Sequence, residues 1–382
     1  MERDKIMVRI GDYLTTKEDE EIVLKVLRSN RLSEGKYVRE FEEKWADFCG
    51  TKYCVLTNSG TSALICALEV LKGYHVGNKV LTTPLTFIAT INAIVLSGFE
   101  PTFADVDKET FVIKPTVSED IFLPVHLYGY PVDMDEFNYK FMIEDAAEAH
   151  GTLYKGKRVG SLGLMGCFSF YIAHNIQVGD MGAVTTNSSE VYRELKKIKA
   201  HGRLCECTIC GRNEGRCPHK DKDYDPRFTH ERIAYNFKTT EIQAALGLNQ
   251  LKHATEIIKK RQENVKYLNQ GLAGLKDLQL PIYDETVSYL AYPVILNNPE
   301  IDRNEFLNLL SKKGVENRPF FSCVPTQQPA YSHIKEIWEG RLPNAEWLGN
   351  HGFHVGCHQY LKKEELDCMI SAIRSIYEEM QP

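Results

Sequence analysis

The stretch Lys52-Tyr-Cys-Val-Leu-Thr57-Asn58-Ser59-Gly60-Thr61-Ser62-Ala63-Leu-Ile-Cys-Ala-Leu-Glu-Val-Leu71 reads as a strand over 52–57 delivering a small polar turn into a helix over 61–71. Free N–H groups at the helix start, the Ser and Thr hydroxyls and the helix dipole converge there, as a bound phosphate requires. A plain helix cap uses the same residue types, so neighbouring sequence has to decide between the two.

Working outward, short apolar runs keep alternating with helical periodicity. Strands are predicted at 79–83, 103–106, 122–127, 141–144, 166–171 and 183–186, and a helix at 86–96. This pattern predicts an α/β fold, a mostly parallel sheet sandwiched by helices. An amphipathic run over 240–268, opening with Glu241-Ile-Gln-Ala-Ala, bridges to a second unit with a strand at 287–296 and a final helix at 363–379. The expected division is a large domain over 1–251, with a cysteine-rich insertion at about 203–220, and a smaller α/β domain over 252–382.

A chain of 382 residues, 43% hydrophobic and 26% charged, can bury two cores. Its net charge of −6 offers no basic footprint for nucleic acid or an anionic membrane. The charged start, Met1-Glu2-Arg3-Asp4-Lys5, and the lack of a long apolar run predict neither a signal peptide nor a membrane span, hence a cytoplasmic protein. Of eleven cysteines, seven (Cys49, Cys54, Cys66, Cys167, Cys323, Cys357 and Cys368) sit mostly among apolar neighbours and are read as buried hydrophobes.

Two further segments carry chemistry. Glu144-Asp145-Ala-Ala-Glu148-Ala-His150-Gly follows a strand, at the carboxyl end of a parallel sheet where ligands bind. A carboxylate at Asp145 would keep a pyridine nitrogen protonated; a second helix cap is the alternative. Phe168-Ser169-Phe-Tyr-Ile-Ala-His174-Asn-Ile then delivers a histidine from a strand into a loop.

These segments resemble, in order, the DegT/DnrJ/StrS sugar aminotransferase family, with Pro84-Leu-Thr-Phe87, Pro124-Val-His-Leu-Tyr-Gly129, Tyr235-Asn236-Phe-Lys-Thr-Thr-Glu-Ile-Gln243 and Arg318-Pro-Phe-Phe as supporting pieces. The resemblance spans nearly the whole chain. It implies the fold type I architecture of pyridoxal 5'-phosphate (PLP) transferases, and a homodimer whose active sites are shared between subunits. Ser59, Gly60, Thr61 and Ser169 would meet the cofactor phosphate, Phe87 would stack on its ring, and Asp145 would pair with the ring nitrogen. Glu148 belongs to the same cofactor set, and Asn236 would reach the phosphate in the neighbouring subunit.

The family ordinarily places lysine where this chain has His174, and an imidazole cannot form the covalent link to pyridoxal phosphate. The cofactor would therefore be held non-covalently, as pyridoxamine 5'-phosphate. Histidine here resembles the nucleotide-linked 4-keto-6-deoxyhexose 3-dehydratases, in which the amine condenses with the sugar C4 ketone, histidine removes a proton and the C3 hydroxyl leaves. A base titrating near neutrality suits that task. The alternatives are an aminotransferase that turns over by another route and a non-catalytic cofactor- or metal-binding regulator. His126, His150 and His201 are read as structural or substrate-edge residues.

Cys205-Glu-Cys207-Thr-Ile-Cys210, with Cys217-Pro-His219 beyond, packs four thiols into a short loop. Cys205, Cys207, Cys210 and Cys217 at this density suit zinc or a [2Fe-2S] cluster, or are free thiols. One dehydratase branch carries such a cluster here with a similar Cys-x-Cys pair, although its distant ligand falls near Ala147. A cluster implies a partner reductase that renews the cofactor; without one, L-glutamate would do so. The stretches 108–120 and 135–139 are shorter than the family's helices there.

Overall fold

Seven strands form the central sheet of the computed structural model, which describes residues 7–116, 119–205, 207, 211–217 and 221–381. They are β1 (Tyr53–Thr57), β2 (Lys79–Thr82), β3 (Glu100–Phe103), β4 (Ile121–Leu123), β5 (Phe141–Asp145), then, after a small hairpin of β6 (Leu153–Tyr154) and β7 (Lys157–Arg158), β8 (Met165–Ser169) and β9 (Gly182–Thr186). The order is β1-β9-β8-β5-β4-β2-β3. The run from β8 to β3 is parallel, and β9 lies antiparallel to both β8 and β1. No helix joins β8 to β9, so the chain turns back beside β8 instead of crossing over, and the turn carries His174.

Helices α1 (Lys17–Arg28), α2 (Lys36–Cys49), α3 (Gly60–Leu71), α4 (Ala89–Leu96), α5 (Ser189–Ile198), α6 (Glu241–Lys252) and α7 (Ala254–Leu272) accompany this sheet. Every residue of α3 from Ser62 to Leu71 is buried, which explains its apolar character on all sides. A second, antiparallel sheet, ordered β10-β11-β13-β12, consists of β10 (Leu278–Gln279), β11 (Tyr292–Leu296), β12 (Asn317–Pro319) and β13 (Gly352–Val355). It is accompanied by α8 (Arg303–Lys312), α9 (Val324–Gln327), α10 (Lys335–Trp338), α11 (Pro343–His351) and α12 (Lys363–Glu379).

Several boundaries differ from the sequence expectation. The strand expected at 103–106 is Glu100–Phe103; Pro101 is tolerated because β3 is an edge strand, where a missing N–H breaks no ladder. The strand expected at 122–127 ends at Leu123, before Pro124, and the chain turns at Tyr128, whose φ is 54°. The strand expected at 287–296 begins only at Tyr292. The run over 240–268 is two helices broken at His253, which ends one and starts the other. The helix expected from Thr86 starts at Ala89, leaving Thr86, Phe87 and Ile88 as a turn. The short stretches carry no α-helix among the described residues, only a 3-10 turn at Met134–Glu136.

Candidate active site

A cleft of about 850 Å³ opens at the carboxyl ends of the parallel strands, between the two sheets. Ser59, Gly60, Thr61, Phe87, Asp145, Glu148, Ser169 and His174 all line it, so eight residues singled out from separate segments converge on one space. At its base α3 abuts β8. A Cβ on Gly60 would stand 2.6 Å from the Ser169 Cβ, and one on Gly182 would stand 2.1 Å from the Ser59 carbonyl oxygen. Only glycine permits this approach. The Ser59 hydroxyl accepts from the Ser62 N–H at 3.1 Å, so Ser59 does cap the helix. The first-turn N–H groups that a helix leaves without intrahelical partners remain beside it.

Asp145 ends β5 on the cleft floor, 4% exposed. Its Oδ2 accepts from the Thr90 hydroxyl at 2.8 Å and its Oδ1 from the Ala147 N–H at 3.2 Å. Burial pushes its pKa up, against the Thr90 and Ala147 hydrogen bonds and the nearby His126. A carboxylate in this setting is stabilised by a cation set against it, which a protonated pyridine nitrogen would provide. Glu144, by contrast, is fully consumed by structure. It accepts from the Gly160, Leu162 and Gly163 N–H groups and faces His126 Nε2 at 3.1 Å. The Val132 N–H binds His126 Nδ1, so Nε2 carries the proton toward Glu144.

Glu148 accepts from the Tyr128 N–H at 2.8 Å, and its carboxyl is pushed up to about 8 by burial, against that hydrogen bond, with Asp145 adding to the rise. The folded value lies above the unfolded one. Folding therefore takes up a proton at Glu148 between roughly pH 4.5 and 8, and the stability from this group declines as pH rises across that window. The expected result for Glu148→Gln, in protein freed of cofactor, is an advantage over the parent that grows with pH by up to about 1.4 kcal/mol per unit and levels off near pH 8. Urea midpoints from pH 5 to 9 measure it, and a gap independent of pH would contradict this account.

Two histidines face the cleft in opposite tautomers. His174 Nδ1 lies 2.7 Å from the Ser169 carbonyl oxygen; a carbonyl only accepts, so Nδ1 carries the hydrogen and Nε2 keeps its lone pair. Burial lowers this histidine to about 4, with the Ser169 carbonyl opposing and the charge of Arg261 assisting, so it is neutral at physiological pH and titrates well below the near-neutral range expected from the sequence. His354, on β13, lies 2.8 Å from the Tyr128 hydroxyl through Nδ1. Tyr128 is wholly buried and ringed by Phe111, Phe320 and Phe321. Were Nδ1 the donor, the phenol hydrogen would be left unpaired at a cost of about 1–3 kcal/mol. The phenol therefore donates, and His354 carries its hydrogen on Nε2.

Other expectations fall outside the cleft or are completed by unforeseen residues. Asn236 is exposed, does not line the cleft, and accepts from Lys238 at 2.6 Å. His150 is buried against His174, and His201 is exposed. Among the described cleft-lining residues there is no lysine. Lys197 pairs with Glu231, and Lys199 is buried against Glu34 and Glu42. Cys205 and Cys207 lie side by side with Cys217 nearby, but no group of three metal-binding side chains is assembled among the described residues, and Cys210 and His219 lie outside them. Six of the seven scattered cysteines are buried, Cys368 partly. Arg318 was read only as part of a family motif, and Thr90 and His354 were given no individual role; Thr90, four residues after Thr86 at the helix start, was the one with a local signal.

A sheet with this order, a glycine-dependent helix start packed against β8 at the first strand-to-helix turn and a buried aspartate at the end of β5 belong to a fold type I PLP-enzyme scaffold. The chain belongs to the DegT/DnrJ/EryC1/StrS aminotransferase family, whose profile matches residues 14–374. It is 31% identical to GDP-perosamine synthase of Escherichia coli O157:H7, covering 95% of this chain and 96% of that protein. It is 28% identical to dTDP-4-dehydro-2,6-dideoxy-D-glucose 3-dehydratase of Saccharopolyspora spinosa, covering 96% and 86%. The aminotransferase PseC of Helicobacter pylori, involved in pseudoaminic acid biosynthesis, superposes with a TM-score of 0.87 at 26% identity, covering 98% of this chain and all of that one.

Proposed function

We propose that the protein is a pyridoxamine-phosphate-dependent 3-dehydratase acting on a nucleotide-linked 4-keto-6-deoxyhexose. One observation carries the reading: the position of the family's lysine is held by His174, and no other described cleft-lining residue is a lysine. The relatives named above include both an aminotransferase and a 3-dehydratase, and the histidine at this position favours the second reading. The residues present fit the cofactor. Ser59, Gly60, Thr61 and Ser169 would seat its phosphate, with Asn236 reaching in from the second subunit of a homodimer, Phe87 would cover the ring, and Glu148 would flank it beside Asp145.

Bound pyridoxamine phosphate supplies a primary amine for the sugar ketone and a ring that accepts an electron pair. Asp145 would hold the proton on the ring nitrogen. His174 Nε2, neutral and with its lone pair free, would serve as the base that takes the proton next to the ring and would return it to the oxygen leaving C3 as water. Its Nδ1–H stays on the Ser169 carbonyl throughout, which fixes the imidazole and stabilises the charge it gains. Phe87, Phe320 and Phe321 give the cleft an apolar wall beside this exchange.

The test is incubation with nucleotide-linked 4-keto-6-deoxyhexoses and L-glutamate, followed by mass spectrometry. A keto sugar lacking its C3 oxygen is the expected product. An amino sugar would establish the aminotransferase instead, and no product with any such sugar would favour a binding protein. Metal content after anaerobic purification separates the two ways of renewing the cofactor. Iron with broad visible absorption points to a reductase and a cluster at Cys205, Cys207, Cys210 and Cys217, whereas glutamate-dependent turnover with zinc or no metal points to transamination.

A further inference from the structure

His354 and Arg318 stand directly opposite each other on β13 and β12, so their side chains share one face of the second sheet, and both line the cleft. This wall faces the phosphate cradle and Asp145 across the cavity. The Tyr128 hydroxyl, from the turn after β4, reaches over to His354 Nδ1, and Phe321 packs against Tyr128, Phe87 and His354. The His354 ring is therefore held by an aromatic cluster and a hydrogen bond from the opposite sheet. Its remaining polar atom, Nε2–H, donates to no described residue. A neutral donor beside a guanidinium that is itself paired with Glu316 suits an oxygen-rich ligand and is the complement of His174, the acceptor on the other wall.

We propose that His354 recognises the substrate by donating Nε2–H to a hydroxyl or keto oxygen of the sugar ring, with the Tyr128 hydroxyl holding it in that tautomer. The inference rests on the reading of the substrate as a nucleotide-linked keto sugar. Burial and the charge of Arg318 hold His354 at about 3, so the donor form persists across the working pH range.

Two measurements test it. In substrate-free protein, ¹⁵N spectra of the histidines should show His354 neutral and protonated on Nε2 at pH 6–8, with the Tyr128→Phe variant giving a mixture of tautomers. Finding Nδ1–H in the parent overturns the proposal. In steady state, His354→Leu should raise KM for the nucleotide sugar about 5- to 100-fold, as expected when a polar partner is left unpaired, with kcat falling far less and cofactor content unchanged. His354→Gln, which keeps a donor, should recover most of the loss. An unaltered KM in a folded, cofactor-loaded His354→Leu protein, or a loss of cofactor in its place, overturns the assignment. Release of an amino sugar would instead sink the dehydratase reading and leave the KM effect of His354 standing.

Discussion

Replacing His174 with alanine is expected to lower turnover by about 10²- to 10⁴-fold, the usual contribution of a positioned proton carrier, while the cofactor stays bound. The neighbouring imidazole is no ready substitute. His150 is the nearest imidazole, with ring centroids 6.0 Å apart, but it is fully buried and accepts the Ile176 N–H on Nδ1. Burial holds it well below the ordinary histidine range, with the adjacent His174 adding to that. Lys197 and Lys199, further along the chain, are engaged with glutamates elsewhere. Because the phosphate cradle, Asp145 and Phe87 do not depend on His174, cofactor retained after dialysis should match the parent. His174→Lys adds the complementary result. It restores a primary amine, so borohydride should trap the cofactor covalently on residue 174, and product should move from deoxygenated keto sugar toward amino sugar. A His174→Lys protein that dehydrates as fast as the parent would remove His174 from the mechanism.

How far the sequence disclosed this site depends on whether each residue's role is written locally. Gly60 and Asp145 sit at strand ends, where the switch in periodicity marks the carboxyl edge of the sheet, so their convergence on one cleft was legible before any coordinates. His174 was legible for the same reason, since it follows an aromatic strand into a turn. Its tautomer was not, because that is set by a carbonyl five residues back, at Ser169, whose direction depends on the antiparallel return of β9. Thr90 and His354 owe their roles to contacts 55 and 226 residues distant, with Asp145 and Tyr128, and no spacing rule encodes those. Element boundaries failed where apolar runs continued past the end of the regular strand. Val125 and Leu127 are buried much as β4 is, and Pro124 and His126 still bond Asp145 of β5, but the regular strand ends at Leu123 and the chain turns through Tyr128. The cysteine segment shows the limit of composition: thiol density suggests a metal, but of its four thiols Cys205, Cys207 and Cys217 alone are described, and no set of three ligands is assembled among the described residues.

Asp145→Asn should separate chemistry from structure. In the parent the carboxylate accepts from Thr90 and from the Ala147 N–H. An asparagine can keep both contacts: its oxygen accepts from Ala147, and its amide donates to the Thr90 hydroxyl, which turns its own hydrogen toward Thr86, 3.0 Å away. Burial already raises the pKa of this carboxyl, so removing the charge relieves a cost that the cofactor-free protein bears above the ordinary carboxylate range. The thermal midpoint of the apoprotein is therefore expected to hold or rise at pH 8. Function should move the other way. A neutral amide cannot stabilise a protonated ring nitrogen, and the loss of a hydrogen bond to a charged group, roughly 1.5–3 kcal/mol, corresponds to a 10- to 150-fold weakening of cofactor binding. Turnover at saturating cofactor should fall by at least as much, since the same proton lets the ring accept the electron pair. Cofactor titration, steady-state rates and apoprotein melting on one preparation make the comparison. Parent-like affinity and turnover in Asp145→Asn would mean that the ring nitrogen is held elsewhere, whereas a collapsed apoprotein would mean that Asp145 serves the fold more than the cofactor.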